Sequence, residues 1–381
     1  MATFLASVRG TWWRIPSIPS KRCRAGGARH CSVEKFAAMK PNPVSMHSWM
    51  HEFAKPGPFA EFLVEEMPIR FAERIRWIEQ VQEWKDIPEL VDSHMKHKAS
   101  FSYIRKAEPQ DPVNFQKAVQ KVLKRQENMV ELMTLGMHKL RKLRRADNFD
   151  HFTNKFLDNF LLNRLGCNLL LSHYLACAHP HRKMIGIIDP QCDAVETCKA
   201  AGQEILSACQ DFLGRKPVLR VEGFSQEGHQ GPAPRFAYIP GILTFIMREL
   251  LKNSCRATLD ITPNDADLAS RPIEVVACAN AAHVMIRVSD RAGGIPIEVG
   301  NRVWSYMYTT SSGKASPLSG YGVGLPLSRL HARYMGGTLE LISLPGYGTN
   351  AYLSLPRVDK EMVEVVPDED APAALPYSFT V

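Results

Sequence analysis

The sequence predicts an α+β chain, an N-terminal helical bundle followed by a C-terminal α/β sandwich, on three observations. Apolar residues recur at helical spacing from about 58 to 176. After a polar break, glycine and proline punctuate short strands between helices. In one of those strands Val284, Ile286 and Val288 alternate with Met285, Arg287 and Ser289, the period of a half-buried strand. A length of 381 residues suits two domains, and 45% hydrophobic with 23% charged residues is an ordinary folded composition. No run of about eighteen apolar residues occurs, which argues against a membrane-spanning helix.

Before Glu34 there is no acidic residue, yet Arg9, Arg14, Lys21, Arg22, Arg24 and Arg29 lie among small, hydroxylated and aromatic residues. That is the composition of a mitochondrial presequence, expected over 1–33, with a basic disordered tail as the alternative. Without those six charges the net falls from +8 to +2, so basicity gives little support to nucleic-acid binding. Nine cysteines lack any CxxC spacing and read as buried thiols in a reducing compartment. His179 and His181 lack a matching second ligand pair, so no metal site is expected there.

Along the helical domain, expected over 45–178, breaks are predicted at Pro68 and around 109 to 112. One seam runs Phe115, Val119, Val122, Gln126, Met129, Met133, Gly136 and Leu140, in the steps of four and three that bundle helices use. Gln126 is its one polar member, expected either to satisfy a core neighbour or to reach a catalytic group. Lys139, Arg141, Lys142, Arg144 and Arg145 close that helix, where positive charge suits the dipole without any ligand. A further helix is expected from about 149 to 176.

The second domain, expected over 184–358, should contain strands near 273–278, 283–289, 338–343 and 351–355, with helices near 191–213, 240–258 and 324–335. Beyond it the tail 359–381 is acidic with proline and alanine, and from 365 to 374 reads as disordered.

Chemistry concentrates in four stretches. In ELLKNSCRAT, helical periodicity puts Glu249, Lys252, Asn253 and Arg256 on one face. Asp290 to Gly294 (DRAGG) follows a strand, Gly320 to Pro326 (GYGVGLP) precedes a helix, and Gly346 to Thr349 (GYGT) precedes the last strand. Together they describe a nucleotide pocket. A carboxylate past a strand can accept from the adenine amine, glycines admit main-chain amides to phosphates, a helix N-terminus offers positive potential, and Asn253 can give oxygen to a hard cation. Neither GxxxxGK[ST] nor the HRD and DFG signatures occurs.

The order of ELLKNSCRAT, SDRAGG, GYGVGLPLSRLHARY and GYGTNAYL resembles the GHKL ATPase superfamily with its Bergerat fold, and specifically the mitochondrial 2-oxo acid dehydrogenase kinases. EEMPIRFAERI (65–75), KFLDNFLLNRLG (155–166) and IIDPQCDAV (187–195) are similar to the same family, and the resemblance covers roughly residues 45 to 360. It implies a matrix serine kinase using ATP and Mg2+ on the decarboxylase component of a 2-oxo acid dehydrogenase complex. The helical domain would dock the complex's lipoyl domain, and a homodimer would form through the nucleotide-domain sheets.

On that resemblance Glu249 is the general base, Asn253 the magnesium ligand, and Lys252 and Arg256 lie along the phosphates, within a nucleotide-binding stretch that also holds Leu250, Leu251, Ser254 and Cys255. Asp290 reads adenine, with Gly294 and Thr349 nearby. Thr309 and Thr310 open a mobile lid, and Gly320, Tyr321, Gly322, Val323, Gly324 and Leu325 wrap the phosphates. VWSYMYTT (303–310), DPQCD (189–193) and LHARYMG (330–336) are more similar to pyruvate dehydrogenase kinases, whereas the tail, which lacks their Asp-Trp pair, leans toward the branched-chain kinase. The chain also departs from the family in carrying Gln126 where a histidine stands, and Leu123 and Asn168 at two arginine positions of a small-acid regulatory pocket, keeping Arg164.

Two rivals share the nucleotide fold. His51 to Pro56 (HEFAKP) mimics a histidine-kinase phosphoacceptor motif, but Pro56, Gly57 and Pro58 break a helix there. Chaperone and mismatch-repair ATPases place the nucleotide domain first, whereas here it follows the bundle.

Overall fold

The computed structural model describes residues 32–144, 149–181, 183–224, 235–280, 282–309, 322–357, 362–367 and 379–380. The expected presequence lies outside them, apart from its last two residues. Two short helices, α1 (Val33–Ala37) and α2 (Met46–Met50), precede five long ones: α3 (Pro56–Glu79), α4 (Pro88–Lys106), α5 (Pro112–Arg125), α6 (Met129–Arg144) and α7 (Phe149–Ala178). Proline opens α3, α4 and α5, where its missing N–H would have had no intrahelical partner anyway.

Two expectations fail here, each for a physical reason. Pro68 does not break its helix but sits inside α3. An interior proline costs about 3 kcal/mol, and α3 offsets it by burying every residue from Glu66 to Ile75. The seam from Phe115 to Leu140 is buried throughout but is two helices, interrupted at 126–128. Gln126 forms the C-cap of α5, its main-chain carbonyl accepting from Arg164 Nη2 at 2.8 Å and its Oε1 from Arg74 Nη1 at 3.1 Å. A buried arginine on α3 and a half-buried one on α7 thus hold the break. In the basic run closing α6 three residues make surface pairs, Lys139 with Glu89, Arg141 with Asp150 and Arg144 with Glu83.

The second half runs β1 (Asp189–Cys192), α8 (Ala194–Leu213), β2 (Leu219–Phe224), β3 (Phe236–Tyr238), α9 (Pro240–Ile261), α10 (Asp265–Ser270), β4 (Ile273–Ala279), β5 (His283–Ser289), α11 (Gly324–Tyr334), β6 (Thr338–Leu344), β7 (Gly348–Pro356) and β8 (Phe379–Thr380). A mixed sheet of order β2-β4-β5-β7-β6-β8 packs one face under α8, α9 and α11, while β1 and β3 form a separate ribbon. Val284, Ile286 and Val288 are at most 2% exposed, as the alternation requires.

The tail is fastened at its start. Val363 bridges to Ser45, and the Val365 N–H donates to the Tyr334 carbonyl at 2.9 Å, so the disorder expected from 365 onward does not begin there. Residues 368–378 lie outside the described residues. Between these contacts Glu364 is buried against Arg70 of α3, whose guanidinium also meets Glu66 at 2.7 Å and the Asn42 carbonyl at 3.1 Å. Tyr334 of α11 donates its hydroxyl to the same Glu364. Burial pushes the Glu66 carboxyl up, against the pull of Arg70. One cation therefore serves two buried carboxylates and joins bundle, tail and nucleotide domain. Gly166 of α7 leaves the room, since an added Cβ would sit 2.7 Å from Arg70 Nη1.

Arg70→Met strands both carboxylates, and removing one partner of a buried pair costs about 3–5 kcal/mol. A loss of that order is expected in urea unfolding; a loss under about 1 kcal/mol would show that the network does not hold the domains.

Candidate functional site

Helix α9 begins at Pro240 and turns Ile242, Leu243, Ile246, Met247, Leu251 and Cys255 into the core, each at most 2% exposed. Its opposite face opens on a cavity of about 330 Å³, within the range of small-molecule sites. Glu249, Leu250, Lys252, Asn253, Ser254 and Arg256 line it. Lys252 Nζ lies 2.7 Å from Glu249 Oε1. The side chains of Asn253 and Arg256 make no hydrogen bond or ion pair with any described residue, which leaves an amide oxygen and a guanidinium available to a ligand.

Asp290, at the end of β5, closes one end. Its carboxylate is 7% exposed and accepts from Ser254 Oγ at 2.9 Å, from the Ala292 N–H at 3.1 Å and from the Thr349 N–H at 3.3 Å. Burial raises its pKa, and those three donors oppose the rise. Among the described residues Oδ2 has Ser254 as its one donor, and it keeps capacity for another hydrogen bond. Gly348 lies so close that an added Cβ would be 2.1 Å from the Asp290 carbonyl, so only glycine permits this approach. Thr349 Oγ1 is 3.2 Å from Ser343 Oγ, which accepts from the Ile295 N–H at 2.7 Å.

At the other end, the start of α11 brings Gly324 against Glu249. An added Cβ would sit 2.3 Å from Glu249 Oε2, so the helix N-terminus and the carboxylate share one corner. Gly294, Thr309, Gly322, Gly324, Leu325 and Thr349 all line the same cavity. Four segments far apart in sequence thus meet in one place.

Three residues from these stretches take other positions. Leu251 and Cys255 face the core, as the helical period dictates for neighbours of the polar stripe, and Val323 is the N-cap of α11. A hydrogen bond with Cys209, reinforced by burial, holds the Cys255 thiol far above its usual pKa. Thr310, Gly320 and Tyr321 lie outside the described residues. His51 caps the five-residue α2, is exposed and does not line the cavity. Gln126 turns to Arg74 and Arg164, and its Nε2 has no partner among the described residues.

Sequence reading missed the apolar wall. Val288, Leu341 and Ala351, inward-facing on adjacent strands, and Ile295, Pro296, Val299 and Val303 line the pocket. Strand alternation carried a signal for the first three; the irregular residues 295–303 carried none.

Such a pocket pairs an apolar slot ending in a buried acceptor with a polar corner of carboxylate, amide, cations and helix N-terminus. It suits a nucleotide, base inward and phosphates toward α11. The model described as histidine kinase-, DNA gyrase B- and HSP90-like ATPase matches residues 240–359, and that of mitochondrial branched-chain alpha-ketoacid dehydrogenase kinase matches 54–189. Among curated relatives, a mitochondrial pyruvate dehydrogenase (acetyl-transferring) kinase of Arabidopsis thaliana is 32% identical over 351 residues, 86% of this chain and 93% of its own. That of Ascaris suum is 30% identical over 359 residues, 88% of each chain. Human isozyme 4 is 29% identical over 367 residues, 88% of this chain and 86% of its own. With the four segments gathered on one cavity and likeness along nearly the whole length, the chain belongs to the mitochondrial 2-oxo acid dehydrogenase kinases of the GHKL superfamily.

Proposed function

We propose that this chain is a mitochondrial matrix protein kinase that transfers the γ-phosphoryl group of ATP to a serine of the decarboxylase component of the pyruvate dehydrogenase complex, inactivating it. The observation that carries this reading is the single cavity holding Glu249, Lys252, Asn253 and Arg256 at one end and Asp290 at the other. Phosphoryl transfer asks the protein mainly to position groups and to stabilise charge. The Asp290 carboxylate accepts from the adenine amine, and the wall of Val288, Leu341 and Ala351 holds the ring. Lys252 and Arg256 lie along the phosphates beside the first turn of α11. Glu249 takes the serine proton on a carboxylate oxygen as the hydroxyl attacks.

The free carboxamide of Asn253 fits magnesium. Among the described residues no group of three or more His, Cys, Asp or Glu could hold a metal, so a cation here would rely on this amide, phosphate oxygens and water, the usual pattern for magnesium. Bound there, it would neutralise phosphate charge.

The mitochondrial setting is supported by the relatives' names and by the acid-free, arginine-bearing N-terminus. Docking of the helical domain on a lipoyl domain and a homodimer through the open sheet face complete the proposal. That face forms a concavity that includes Val276, Met285 and Tyr352.

The branched-chain complex is the second reading, favoured by the name of the model matching residues 54–189. Incubation with ATP and each purified complex decides between them. Loss of pyruvate decarboxylation is expected; loss confined to the branched-chain complex would overturn the assignment. Glu249→Gln should lower kcat by about a hundredfold or more with ATP still bound, and undiminished turnover would remove Glu249 as the base. Asn253→Ala should weaken magnesium-dependent ATP binding about tenfold, the effect of one 1.4 kcal/mol contact; unchanged affinity in calorimetry would remove its metal role.

A further inference from the structure

Two residues that line the nucleotide cavity, Tyr308 and Thr309, stand on a segment whose fastening lies in the other domain. The Tyr306 N–H donates to Asn154 Oδ1 at 3.0 Å, and Asn154 Nδ2 donates to Ser305 Oγ at 3.2 Å. The Tyr306 hydroxyl donates to Asp158 Oδ1 at 2.8 Å. Asn154 and Asp158 are one turn apart on α7, so one face of a bundle helix grips both backbone and ring. Asp158 Oδ2 also lies 3.8 Å from Arg329 of α11, whose guanidinium covers the Trp304 ring at 5.1 Å. The same carboxylate thus touches the chain before and after the stretch that brings Thr309 and Leu325 to the cavity.

The next residue is backbone-strained. Met307, at φ 63°, is the one non-glycine with positive φ among the described residues. A residue held in that region persists only where its surroundings over-determine it. Here Tyr306 is fixed on α7 on one side, and on the other the Arg302 guanidinium lies 4.5 Å from the Tyr308 ring centroid. Burial and Asp158 keep the Tyr306 phenol protonated, hence a donor, throughout the physiological range.

We propose that Asn154 and Asp158 of the helical domain are positioning residues for the nucleotide pocket, holding Tyr306 so that the strained turn at Met307 presents Tyr308 and Thr309 to the ligand. The proposal rests on the nucleotide reading of the cavity. It gives the bundle a part in ATP binding beyond any docking role.

The test titrates full-length protein with magnesium and a non-hydrolysable ATP analogue, then measures KM for ATP and kcat. Wild type must first bind the analogue; failure there sinks the nucleotide reading and this inference with it. Tyr306→Phe and Asp158→Ala should each raise Kd and KM about tenfold, the worth of one 1.4 kcal/mol hydrogen bond, with kcat at saturating ATP within about twofold. Asp158→Asn, which keeps an acceptor for the phenol, should recover most of the affinity, and the double variant Tyr306→Phe with Asp158→Ala should bind no worse than either single one. Thermal melting without nucleotide checks that each variant is folded. A folded Tyr306→Phe with wild-type affinity, or a loss as large in Asp158→Asn as in Asp158→Ala, would overturn the positioning role while leaving the nucleotide reading intact.

Discussion

A carboxylate removed from water must have its oxygens satisfied, and in this molecule that requirement organises the nucleotide site. Asp290 draws Ser254 from α9, the Ala292 amide from its own loop and the Thr349 amide from β7. Three of the four chemistry-bearing segments are therefore fixed by the solvation needs of one side chain, and the approach of Gly348 to its carbonyl shows how closely they must pack. The fourth segment, the start of α11, is placed by the contact of Gly324 with Glu249. An unpaired buried charge is expensive, so the site is formed by folding before any ligand arrives.

The second organising feature is the dependence of the nucleotide domain on the bundle. Arg70 and Glu364 join α3 to the tail, and Tyr334 adds α11. Further along α7, Asn154 and Asp158 hold the segment leading to Tyr308. Both sets of bonds end on α11 or on the segment at Tyr308 and Thr309, the elements that line the same end of the cavity as Glu249. The bundle is thus in physical contact with the elements that line the cavity.

Much of this was legible in the sequence wherever period or spacing was regular. The polar stripe of Glu249, Lys252, Asn253 and Arg256 emerges on one wall because 3.6 residues per turn leave no other arrangement. The strand from His283 to Ser289 was visible in its alternation. Long-range satisfaction was not legible. Pro68 looks like a helix stop, yet α3 continues because tertiary burial outweighs the local penalty. Gln126 satisfies a core neighbour, one of its two expected roles, but its local sequence does not announce that the partners are arginines from two other helices. Glu364 sits in a stretch with the composition of a loose tail, and nothing in its neighbours announces a partner 294 positions away. Assigning the whole stretch from 249 to 256 to the ligand overreached at Leu251 and Cys255, because the helix that exposes the stripe buries them.

The claim on which the account stands is that all four segments surround one bound nucleotide. Amide hydrogen exchange, followed with and without a magnesium complex of a non-hydrolysable ATP analogue, tests it directly. The account predicts simultaneous protection of amides in 249–256, 290–295, 322–327 and 348–350, with the outer face of the sheet unchanged. Protection confined to one of these segments, or appearing only elsewhere, would contradict it.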